Sequence, residues 1–238
     1  MLSQKPWRAE AVMQLIAGVV ACLCVGLTAM GLLRLAGVAA FKSPDSFANV
    51  VAGTMSFQGA TWILIEIFLK QHAVSWRDAF GFRNANLKSS LLLAAGVLIL
   101  ALPVVLSLEQ LSAVALQKIG WPPEDQRAVE LFAHAKSWWM RGYFVIFSMV
   151  LAPVAEEFVF RGALFPFLKQ LGWPKLAWFG VSFLFALIHA NAMSFVPLFV
   201  LALAFTWLYQ KTDCLLAPIV AHSLFNTTNL IILILQNR

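Results

Sequence analysis

The chain has 238 residues, 61% of them hydrophobic and only 12% charged, with a mean hydropathy of +0.81. That composition excludes a soluble domain and describes a polytopic membrane protein. The formal net charge of +6 would suggest nucleic acid in a soluble chain. Here the bases are scattered between apolar segments, as in the loops of a membrane protein, so no nucleic-acid partner follows.

Taken in order, Ala11 to Leu33 is long enough to cross about 30 Å of hydrocarbon, and Arg34 closes it. Val19 to Cys22 loosely resembles a lipoprotein cleavage box, but the apolar run continues past it, so an uncleaved first span is expected. Cys22, Cys24 and Cys214 lack metal-type spacing and read as small apolar residues. Phe47 to Leu69 forms the second span, with Asn49, Thr54, Gln58 and Thr61 suited to a helix that faces other helices. Glu66 stands one turn before Lys70 and reads as an interfacial ion pair.

Lys70 to Lys88 is polar and basic, and Ser89 to Leu108 is the third span, with Pro103 placed to bend it. A mixed-charge loop follows over residues 109–137, charged from Glu109 to Lys136. Within it Pro122 and Pro123 break any helix, and Glu124 and Asp125 offer an N-terminus for a turn or two of amphipathic helix through Phe132. His134 reads as a solvent or interfacial histidine.

Trp138 to Phe160 is the fourth span, opened by an interfacial Trp pair. Gly162 to Leu171 is too short to cross and is expected to form a half-helix or a shallow interfacial helix. Lys175 to His189 and Met193 to Tyr209, joined by a short turn around Asn191, are the fifth and sixth spans, and Cys214 to Leu235 is the seventh. The expected fold is all-α: one membrane domain over 1–238, a polytopic bundle of about seven to eight transmembrane helices around a polar pocket. Its N-terminal spans occupy 11–108 and its motif-bearing core 138–235. Lys and Arg divide ten to seven in favour of a cytoplasmic N-terminus. That places the Glu156 end of the fourth span near the cytoplasmic face, and the compact loops suggest a prokaryotic plasma membrane.

The most informative stretch is Leu151 to Leu164, LAPVAEEFVFRGAL, with two acids and an arginine in an apolar helix. An ionised side chain at the bilayer centre costs roughly 2.5–3.5 kcal/mol on insertion scales, so three within six positions require a reason. Glu157 and Arg161, four apart with the acid first, have the spacing of an intrahelical ion pair. Glu156 points aside from that pair with no partner in its own helix, which makes it the candidate general base. Pro153, one turn earlier, removes a backbone hydrogen bond and frees a carbonyl near the acids. A purely structural triad is the competing reading of this stretch.

Two of the four histidines lie in apolar spans, as FALIH from Phe185 to His189 and HSLFN from His222 to Asn226. The Phe185 ring would pack beside His189, and His222 and Asn226 share one helical face. Two histidines, an asparagine and an unpaired acid on three spans must find polar partners, and the nearest are one another, so a wet polar pocket is expected.

Glu156-Glu157-x-x-x-Arg161, Phe185-x-x-x-His189 and His222-x-x-x-Asn226 together resemble the motifs of the CAAX prenyl endopeptidases and bacteriocin-processing relatives, the CPBP or Abi family of intramembrane proteases. The resemblance covers Val150 to Leu230. It implies intramembrane peptide-bond hydrolysis in which Glu156 activates water, His189 helps to hold and polarise it, and His222 with Asn226 stabilises the oxyanion. Glu157 and Arg161 would then be architectural, with Phe185 supporting the pocket. No metal is required by this arrangement and no HExxH motif is present, although Glu156, His189 and His222 could supply three zinc ligands. The alternative is a non-enzymatic polytopic protein, a transporter or a bacteriocin-immunity protein that binds a peptide without cutting it. A transporter of this size would show repeated halves, and none is present. The expected substrate is a peptide or membrane protein met within the lipid bilayer, of unread identity. Nothing in the sequence bears on oligomeric state.

Overall fold

The computed structural model describes residues 2–83, 86–135 and 137–236. Lys136, the end of the expected mixed-charge stretch, lies outside the described residues. Among the described residues all regular structure is helical, and six helices are long and apolar enough to cross a membrane. The protein is therefore a multi-pass membrane protein. It divides into two compact units, Pro6–Ser75 on the one hand and Met1–Lys5 with Trp76–Arg238 on the other.

The smaller unit is a pair of spans, α1 (Ala9–Leu35) and α2 (Phe47–Gln71). Ser46 caps α2, its hydroxyl accepting from the Asn49 amide at 3.3 Å. Trp7 and Phe68 pack with ring centroids 4.8 Å apart, and His72 Nε2 accepts from the Arg8 amide at 3.0 Å. Glu66 and Lys70 form the expected pair at 3.2 Å. With both side chains largely exposed it contributes little.

The larger unit comprises α3 (Trp76–Ala79), α4 (Leu87–Lys118), α5 (Arg127–Ala133), α6 (Trp138–Gln170), α7 (Pro174–Leu187), α8 (Ala192–Thr212) and α9 (Leu216–Gln236). Helix α8 packs against α4 and α7, and α9 against α4 and the middle of α6. The seven expected apolar segments are thus all helical, but the fifth, α7, has only 14 residues. At 1.5 Å per residue it spans about 21 Å, short of the hydrocarbon thickness.

Several boundaries differ from the sequence reading. Helix α4 runs ten residues beyond Leu108, to Lys118, because Glu109–Lys118 is rich in Ala, Leu, Gln and Lys with no Gly or Pro. The mixed-charge loop therefore begins at Ile119, where Gly120 at φ +77° closes the helix and the Trp121 amide reaches back to the Leu116 carbonyl. The expected short amphipathic helix is present as α5. The basic stretch after Lys70 also holds structure: Ala79 and Phe80 are fully buried, and Phe80 packs on Phe158 with centroids 4.8 Å apart.

The largest correction concerns Gly162–Leu171, which is no separate half-helix but the continuation of α6 to Gln170. Arg161 does not end the span, because its charge is neutralised inside the protein. Gly162 does not break it either: a Cβ there would stand 2.8 Å from Phe80 Cε1, so the glycine serves close packing rather than a turn. Glu156 consequently lies near the middle of the span, about 27 Å from Trp138 and about 21 Å from Gln170, not near one end.

Contacts within this unit sort its ends. Lys5 pairs with Asp213 at 2.9 Å, Gln170 donates to the Lys5 carbonyl, and the Leu215 amide bonds the Phe80 carbonyl, all at one end. At the other, the Asn191 amide group donates to the Glu124 carbonyl at 2.9 Å.

Candidate active site

The site begins with a defect in α6. Over Phe147–Leu151 the helix widens to a π turn, and the Ala152 amide bonds back to the Phe147 carbonyl, five residues away. In that register the Ser148 carbonyl would pair with residue 153, which is proline and has no N–H. The orphan is satisfied from another helix: Asn226 Nδ2 donates to the Ser148 carbonyl at 2.8 Å. The carbonyl expected to be freed by Pro153 thus anchors the asparagine of the third motif.

One turn further on, Glu157 and Arg161 are fully buried and bonded at 3.0 Å, as their spacing predicts. The guanidinium uses its other donors on α8, with Nη2 bonding the Ala202 carbonyl at 3.0 Å and Nε the Thr206 hydroxyl at 3.3 Å. Its Cζ also lies 4.5 Å from the centroid of Phe185. A buried cation with this many partners is tolerated because most of its N–H groups and most of the charge are matched.

Glu157 is more than a counter-ion. Its Oε1, which binds Arg161, also lies 3.0 Å from His222 Nδ1. The carboxylate can only accept, so Nδ1–H donates and the tautomer of His222 is set, with Nε2 turned to the other acid. Glu156 Oε2 stands 3.9 Å from that nitrogen and, although buried, has no hydrogen-bond partner among the described residues. Phe185 completes the arrangement, its ring 4.8 Å from His189 and 5.8 Å from His222.

Glu156, His189, His222 and Asn226 all line one cavity of about 240 Å³. The rest of its wall is mainly apolar, with Phe144, Phe147 and Phe225 prominent, and α5 contributes Val129 and Phe132. His189 reaches it from the turn just beyond α7, not from within a span. The chain reverses there over Ala190 at φ +49°, and Asn191 caps α8. His189 Nδ1 donates to the Phe185 carbonyl at 2.6 Å, which leaves Nε2 as an acceptor. Glu157, Arg161 and Phe185 lie behind the cavity wall. His134 is exposed and bonded to the Glu130 carbonyl of its own turn.

Among the described residues no three His, Cys, Asp or Glu side chains are grouped so that they could hold an ion, Glu156, His189 and His222 included. Ser148, Thr206 and Ala202, which hold the motif residues in place, were not singled out by sequence. Only Pro153, whose missing N–H foretold an orphan carbonyl, pointed toward one of them.

Residues 137–228 match the family model of type II CAAX prenyl endopeptidase Rce1-like proteins. Over 90 residues the chain is 32% identical to the UPF0177 protein YaiF of Lactococcus lactis subsp. lactis (strain IL1403), an alignment covering 36% of this chain and 38% of that protein. The chain therefore spans well under half of the relative's length. No solved structure matches. The matched segment contains all three motifs and every polar residue of the cavity wall except Gln126 and Asn229. Over its motif-bearing segment, residues 137–228, the chain is similar to the Rce1-like type II CAAX prenyl endopeptidase family.

Proposed function

We propose that the protein is an intramembrane endopeptidase that hydrolyses a peptide bond of a peptide or membrane-protein substrate with water activated by Glu156, without a metal. The observation that carries this reading is the pair of facing acceptors, Glu156 Oε2 and His222 Nε2, 3.9 Å apart at the cavity wall. Two acceptors at that separation can each receive one O–H of a single water at about 2.8 Å.

In the reaction, Glu156 removes a proton as the water oxygen attacks the scissile carbonyl, then returns it to the departing amine. Asn226, with one N–H committed to Ser148, keeps its second N–H for the developing oxyanion. His222 Nε2 holds the water's second O–H while Glu157 keeps its Nδ1–H, so the oxyanion is left to Asn226 and not shared with His222, and His189 lines the cavity beside them. The apolar remainder of the cavity excludes bulk water, so these few dipoles act at low dielectric.

The loops at the end that holds Lys5 and Asp213 also carry Arg77, Arg83, Lys88, Lys169, Lys175 and Lys211. By the positive-inside rule that end is cytoplasmic, in a prokaryotic plasma membrane, and α5 borders the cavity from the opposite side.

The test is Glu156→Gln in the purified full chain, with membrane-peptide cleavage as readout. General-base loss should cost on the order of 10²–10⁴-fold in rate. Because Glu156 Oε2 makes no hydrogen bond among the described residues, unfolding stability should change little. Unchanged cleavage would sink the hydrolase reading and favour a peptide-binding immunity protein. In parallel, activity lost to a chelator and restored by zinc would overturn the metal-free mechanism.

A further inference from the structure

We infer that Asn229 binds the backbone of the substrate about three residues from the scissile bond. The inference rests on the hydrolase reading above and adds a binding residue that none of the three motifs contains. Asn229 lies seven residues after His222 and three after Asn226 on α9. In a helix those offsets fall on one face, and all three side chains line the same cavity. The stripe of hydrogen-bonding groups therefore continues past the reacting centre, along α9 toward the end of the bundle where α5 lies.

Among the described residues the Asn229 carboxamide has no hydrogen-bond partner. An amide group inside an apolar span is costly to leave without a hydrogen bond. Its neighbour Asn226 is spoken for by Ser148, whereas Asn229 offers both an acceptor oxygen and two N–H donors to the cavity. That set is complementary to one peptide unit, which presents one C=O and one N–H. The walls around it are mainly apolar, with Phe132, Phe144 and Leu233, and Gln126 is the other polar lining residue outside the matched segment. A bound chain that lost water there would need such a partner.

The spacing matches an extended substrate. Seven residues of helix rise about 10.5 Å, and an extended chain covers that distance in about three residues. With the scissile carbonyl at Glu156 and His222, the backbone unit beside Asn229 is the third one along. Side chains on either side of it face the apolar walls, so recognition at this point reads the presence of chain rather than its sequence.

The test uses the purified full chain and a random octapeptide library, with cleavage that depends on Glu156 identified by mass spectrometry. The best peptide is then compared with its series of single backbone N-methyl analogues. Asn229→Leu should raise KM about tenfold while kcat changes by less than about twofold, the signature of lost uniform binding. N-methylation three residues from the cleavage site should weaken the wild type by a similar factor and leave the variant unaffected. Asn229→Ser should behave as Asn229→Leu does and provides the same comparison if the leucine variant misfolds. Equal KM for wild type and variants, or N-methyl effects identical in both, overturns this inference alone. Absence of any Glu156-dependent cleavage removes the hydrolase reading and this inference with it.

Discussion

Replacing Arg161 with methionine separates the architecture of the site from its chemistry. The wild-type guanidinium is fully buried, bonded to Glu157 at 3.0 Å, to the Ala202 carbonyl at 3.0 Å and to the Thr206 hydroxyl at 3.3 Å. Arg161→Met keeps most of the volume but strands the Glu157 carboxylate, so about 3–5 kcal/mol of stability should be lost, the usual penalty for halving a buried pair. Adding Glu157→Gln removes the uncompensated charge while its amide oxygen can still accept from His222 Nδ1–H. The double variant should therefore recover most of that loss. Activity should not return in step, because the neutral acceptor holds His222 by a bond about half as strong as the charge-assisted one. Steric trapping of the full chain in bicelles measures the unfolding free energies, and peptide cleavage supplies the rate. An Arg161→Met variant as stable as wild type, or a double variant no more stable than the single, would refute the argument that charge balance governs this helix.

Two further outcomes follow from the geometry of α6. Pro153→Ala supplies an N–H that can pair with the Ser148 carbonyl and compete with Asn226, so cleavage should fall about 3- to 10-fold while stability holds or rises. Unchanged kcat in that variant would show that Ser148 does not set the position of Asn226. Gly162→Val drives side-chain atoms into Phe80, whose Cε1 would stand only 2.8 Å from the new Cβ, and should cost about 1–3 kcal/mol by overpacking. Combining it with Phe80→Ala should recover part of that loss in the same unfolding assay.

The sequence showed those parts of the site that depend on local spacing. Glu157 and Arg161 pair because residues four apart share a helical face, and the same geometry put His222 and Asn226 on one side of their span. Trp138 and Trp139, exposed at the start of α6, follow from the affinity of indole for the interface. The missing N–H of Pro153 announced an orphan carbonyl in advance. Where the sequence reading erred, a local cue was overridden from a distance. Gly162 reads as a breaker, yet its helix continues because Phe80, 82 residues earlier, needs the space, and because Arg161 finds its partners on α8.

By itself, then, the sequence determined that this is a helical membrane protein with an acid, two histidines and an asparagine to reconcile inside it. The hydrocarbon requires internal backbone bonding, and polar groups within it must be matched. Only the tertiary structure decided how they are matched. Glu157 binds His222 across 65 residues, Asn226 binds Ser148 across 78, and Glu156 is left facing the cavity. Those choices depend on how α9 approaches the π turn of α6, and that approach is set by packing among several helices, which no spacing within one of them encodes.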